Sequence, residues 1–69
     1  YSKGLNNLGL VYLKQGRVSE AKEMFYQSLA QKYPYPGALE NLVMLYANQK
    51  DYESANRWLK LFGNSSTSF

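Results

Sequence analysis

The feature that most limits what this chain can fold into is a repeat. Sliding the 69 residues along themselves by 34 aligns Leu5 with Leu39, Asn7 with Asn41, Leu8 with Leu42, Tyr12 with Tyr46, Gln15 with Gln49 and Ala21 with Ala55. Residues of similar character fill the same register: Val11 with Leu45, Val18 with Tyr52, Met24 with Trp58 and Phe25 with Leu59. One shift accounts for almost every large apolar position, so the chain is two copies of one unit. A unit this small cannot bury both faces of its helices alone, and the copies must stack.

Each copy reads as two helices. Leu5, Leu8 and Tyr12 recur at helical spacing. Gly16 suits the left-handed position that follows a helix end. A second helix starts at about Val18, with a face of Val18, Ala21, Met24, Phe25, Ser28 and Leu29. The stretch KYPYPG then stops it, because the residue before a proline is pushed extended. Pro36 is placed to open the third helix in its first turn. Leu39, Leu42, Val43 and Tyr46 form that helix's stripe. Asp51 is an N-cap candidate for a fourth helix carrying Tyr52, Ala55, Trp58, Leu59 and Phe62. Ala21 and Ala55 recur mid-helix, where a small side chain lets two helices approach. The expected architecture is one domain over residues 1–62, with a first repeat at 2–34 and a second at 36–62. Residues 63–69 carry no core pattern and should form a disordered tail.

Composition narrows the chemistry. The chain has no cysteine and no histidine, which excludes disulfides and the usual zinc ligand sets, and no cofactor is expected. Eight Lys and Arg against five Asp and Glu give +3, with the basic residues scattered. That is the charge of a solvated surface rather than a nucleic-acid patch. The 16% aromatic share favours a packed or binding-competent domain over a disordered segment. No apolar run approaches the roughly 18 residues of a spanning helix, and no targeting segment is evident. The compartment stays open. Tyr1 at the start in place of methionine suggests an excerpt or a processed product. No residue pattern supports catalysis: Glu20 and Glu23 fit a charged outer face, and the glycines are isolated. The sequon at Asn64 carries weight only in a secreted chain.

The pattern resembles the tetratricopeptide repeat family. The first copy reads Leu5, Leu8, Gly9, Tyr12, Gly16, Ala21, Phe25, Ser28, and the second Leu39, Leu42, Val43, Tyr46, Lys50, Ala55, Leu59, Phe62. Val43 stands where a small residue is usual, Phe62 where alanine is usual, and Lys50 replaces the turn glycine. Pro34 lies one place later than the family proline. The resemblance implies an all-α fold of tandem antiparallel helix hairpins, about four helices forming a right-handed solenoid fragment. It implies a non-catalytic module that binds a protein or peptide partner on the concave wall built by the first helix of each unit. GRVSEAKEMF also resembles a pentatricopeptide repeat, which would imply RNA binding, but Gly9 and the 34-residue period favour the tetratricopeptide reading. A purely structural spacer in a larger assembly is the third reading. The family's clamp for carboxy-terminal carboxylates is not expected, because Asn6 and Leu10 stand where that clamp has a basic residue and an asparagine.

Helical geometry selects the candidate partner-binding residues. With Leu5, Leu8 and Tyr12 turned into the hairpin, the opposite stripe is Lys3, Asn6, Asn7, Leu10, Leu13 and Lys14. In the second copy it is Gly37, Glu40, Asn41, Met44, Ala47 and Asn48. Asn7 and Asn41 should stand one above the other, either pairing with a partner's backbone or bonding locally. Leu10 and Met44 are either covered by a neighbouring repeat or left for an apolar guest. Trp58, Leu61 and Phe62 form an open apolar end, a candidate surface for self-association or for further repeats.

Overall fold

A computed structural model describes residues 1–63. It contains α1 (Ser2–Lys14), α2 (Val18–Leu29), α3 (Pro36–Asn48) and α4 (Tyr52–Trp58), and α4 runs on into a π-helical turn, Leu59–Gly63. No strand occurs among the described residues. The Asn64 sequon and residues 64–69 of the expected tail lie outside the described residues.

The two hairpin turns are copies of each other in conformation. Gln15 and Gln49 both have φ −85° and ψ 1°. Gly16 follows at φ 77° and Lys50 at φ 62°. The amides of Arg17 and Asp51 then reach back to the carbonyls of Tyr12 and Tyr46, both at 2.9 Å. These bonds satisfy carbonyls that a helix end leaves open. Glycine adopts this conformation freely, whereas a side-chain residue pays roughly 1–2 kcal/mol. Lys50 therefore keeps the turn at a cost that Gly16 does not carry.

The caps follow the expectations. Tyr35 is extended (φ −87°, ψ 116°), and Pro36 opens α3. The Ser54 amide donates to Asp51 Oδ1 at 3.2 Å at the start of α4. Hydrogen bonds from Ser54, through its side chain and its backbone amide, hold the Asp51 carboxyl below its ordinary value.

α1 packs along α2 and α3 along α4, while α2 lies against α3 and joins the hairpins. The core is Ala21, Phe25, Leu29, Ala38, Leu42, Leu45, Tyr46 and Ala55. Ala21 and Ala55 are both buried, as close helix approach requires. Gly9 is buried under the Phe25 ring: a Cβ there would lie 2.7 Å from Phe25 Cε1. In the second copy the sizes are exchanged, with Val43 on the first helix and Leu59 on the second. The larger residue at position 43 is tolerated because no Phe ring faces it from the matching place. Ser28 is fully buried, its hydroxyl donating to the Ser2 carbonyl at 2.6 Å, and the Ser2 hydroxyl donates to the Tyr33 carbonyl at 2.7 Å. These two bonds tie the start of α1 to the end of α2.

Three expectations are corrected. Leu8 is not enclosed in the hairpin: it is 40% exposed, whereas Leu42 at the same repeat position is fully buried. α3, which carries Leu42, packs against α2 of the other hairpin, so helical spacing identified the apolar face but not what covers it. Leu59 is half-exposed rather than core. Trp58 is not an open-end residue. Its ring stacks on Tyr26 of the first hairpin, with centroids 5.2 Å apart and planes 21° apart.

Candidate functional site

α1 and α3 run side by side and form one wall of the molecule. The wall holds a groove of about 350 Å³ between the hairpins, lined by Leu10, Leu13, Val18, Asn41, Met44, Leu45, Asn48 and Gln49. Leu10 and Met44 stand at its surface, with Met44 63% exposed. A second hollow continues from it over Leu10, Val11, Leu13 and Lys14. The floor is apolar, and the amides of Asn41, Asn48 and Gln49 edge it. Such a surface takes an apolar side chain in the groove and offers amide donors and acceptors to the backbone beside it.

Of the expected partner-binding residues, the groove brings together Leu10, Leu13, Asn41, Met44 and Asn48, and Lys14 lines the adjoining hollow. Lys3, Asn7 and Glu40 are exposed outside it. Asn6 departs most from expectation: it is 3% exposed, and its Oδ1 accepts from Asn41 Nδ2 at 2.8 Å. The stacked asparagine pair is therefore Asn6–Asn41, not Asn7–Asn41. Residues one period apart hold equivalent places in their own hairpins. Because adjacent hairpins are displaced, the contact across the junction joins non-equivalent residues.

Val18, Leu45 and Gln49 are groove residues that the sequence did not single out. The pairings Val11 with Leu45 and Gln15 with Gln49 marked two of them as repeated, and Val18 was assigned wholly to the hairpin face. Val18 and Gln49 sit at the mouths of the hairpin turns, where periodicity along one helix does not reach.

The Asn6–Asn41 bond makes Asn41 both structural and wall-lining. Asn41→Ala leaves a buried carbonyl oxygen without its donor, a cost of about 1–3 kcal/mol. Asn7→Ala, on exposed surface, stays within about 0.5 kcal/mol. Urea unfolding of the two variants checks this, and equal losses would contradict the assignment.

Behind the wall, the Tyr26 and Tyr46 hydroxyls hydrogen-bond each other, and Lys22 Nζ sits 5.0 Å from the centre of the Tyr46 ring. The Tyr26 phenol is pushed up to about 12 from its ordinary 10.0, first by burial, then by the bond to Tyr46 and by nearby negative charge. The unfolded chain ionises first, so this contribution is whole below pH 10.0 and is lost as pH rises toward about 12. Urea unfolding between those limits should show a steeper loss for the parent than for Tyr26→Phe. Identical pH profiles would rule out Tyr26 as the source.

No helix among the described residues is long and apolar enough to cross a membrane. The family model for the tetratricopeptide repeat matches residues 4–30 and 37–61, more than half of the chain. No curated protein and no solved structure matched it.

Proposed function

Since the chain belongs to the tetratricopeptide repeat family, whose repeats generally mediate protein–protein interaction, we propose that it is a non-catalytic binding module. In this reading its groove takes an apolar segment of a protein partner. The observation that carries this is the exposed Leu10–Met44 pair over an apolar floor edged by three side-chain amides. Leu10 and Met44 belong to different hairpins, so their groove exists only when the repeats are stacked. An unbranched, polarizable methionine adapts to guests of irregular shape. Asn48 and Gln49 are the groups that pair with the guest's backbone, and Asn41 adds its carbonyl oxygen while its amide N–H donates to Asn6. Lys14 at the adjoining hollow favours a guest with an acidic residue beside its apolar anchor.

The test is selection of a displayed peptide library on the full chain. Enriched peptides should share one or two large apolar residues. Met44→Asp should weaken their binding at least tenfold, a loss of about 1.4 kcal/mol, with the helical circular-dichroism signal unchanged. Selected peptides that bind Met44→Asp and Leu10→Asp as tightly as the parent would refute the groove as the site.

A further inference from the structure

We propose that Lys50 is a specificity-determining residue of the groove, and that its ammonium selects guests with an acidic side chain next to the apolar anchor. The inference rests on the groove reading above. It starts from the backbone. Lys50, at φ 62°, is the non-glycine residue with positive φ among the described residues. Its place 34 residues earlier is held by Gly16 at φ 77°. The two turns make the same backbone bonds: Gly16 N–H to the Leu13 carbonyl at 3.0 Å and Lys50 N–H to the Ala47 carbonyl at 2.9 Å. The turn therefore needs no side chain at this position, and glycine would form it without strain. A backbone held in a disfavoured conformation, with no structural return, points to a role outside the fold.

The side chain is also unspent. Lys50 is exposed, and no hydrogen bond, ion pair or ring engages its ammonium among the described residues. Arg17 and Arg57 pair with Glu20 and Glu53, and Lys22 and Lys32 lie over tyrosine rings. The adjacent Asp51 is occupied in capping α4. Lys50 follows directly on Asn48 and Gln49, which line the groove. Lys14, at the matching end of α1, lines the adjoining hollow. No acidic residue lines either hollow. This end of the wall thus joins an apolar floor to positive charge with nothing to neutralise it, and a carboxylate is the complementary group. A lysine could instead serve the carbonyl end of α3, where a cation is stabilising. The two roles predict opposite changes in stability when the side chain is removed.

The test uses peptides selected from the library on the full chain, made with amidated ends so that they offer only side-chain carboxylates. They should carry aspartate or glutamate next to the apolar anchor. Lys50→Gly should raise the urea midpoint yet weaken their binding about fivefold, the upper range for an exposed ion pair. Lys50→Gln should weaken it equally, and Lys50→Arg should restore it. The loss should shrink at high salt. It should vanish for the same peptide with its acid replaced by the amide, which the parent and Lys50→Gly then bind alike. A lowered midpoint for Lys50→Gly would make the lysine structural and overturn the proposal. So would a binding loss that ignores the peptide's carboxylate, or a loss on Lys14→Gln with none on Lys50→Gly. Weakening by Met44→Asp but not by Lys50→Gly would overturn this inference and leave the groove standing; binding indifferent to Met44→Asp would remove the groove itself.

Discussion

Phe25→Ala is expected to leave the chain unfolded. Phe25 is fully buried, and its ring fills the space that Gly9 leaves open on α1. Removing a buried phenylalanine ring costs about 3–5 kcal/mol in lost transfer energy and residual cavity. A single core of this size supplies only about 3–5 kcal/mol in all. The site cannot collapse to fill the gap, because the facing residue is a glycine with no side chain to lean in. Far-UV circular dichroism in a urea series should show no cooperative transition. A transition within a few tenths of a molar of the parent's would mean that Phe25 does not hold the first hairpin.

The second large effect is a contrast between two identical residues. Leu42→Ala is expected to cost about 2–5 kcal/mol, because Leu42 is fully buried. Leu8→Ala, one period away and 40% exposed, should cost about 1–1.5 kcal/mol, since much of the side chain already meets water. Local sequence and helix propensity are nearly the same at the two positions. The difference measures what stacking one hairpin on another contributes. Equal losses would mean that the hairpins do not pack as described.

The same contrast shows what could be read from the chain in advance. The repeat, the four helices and the left-handed turn at Gly16 were legible because each rests on local spacing or on one residue's backbone freedom. The conformation of Lys50 was not, since lysine carries no sign of the left-handed backbone it adopts; only its place 34 residues after Gly16 pointed there. Periodicity placed Leu8 and Leu42 on one kind of face, but exposure depends on whether a neighbour exists, which a repeat unit does not encode. Trp58 aligned with Met24, and nothing in that alignment announced its stacking on Tyr26. The π-helical turn Leu59–Gly63 departs from the α-helical register on which the reading of Phe62 depended. Phe62 lies within that turn, with its side chain outside the described residues, and Leu61 is 65% exposed.

At the candidate site the stripe drawn from helical geometry reached Leu10, Leu13, Asn41, Met44 and Asn48 because each lies on the wall face of its own helix. It failed at Asn6, which faces the junction and is spent on Asn41. Polar character alone does not separate an amide that meets a partner from one that joins two hairpins. Distance across the junction does.

The most direct test of the groove follows backbone amide resonances of the full chain while a library-selected peptide is added. The largest shifts should fall on Leu10, Leu13, Asn41, Met44, Asn48 and Gln49, with α2 and α4 little changed. Shifts concentrated instead on α2 and α4, with the Leu10–Met44 groove silent, would contradict the account.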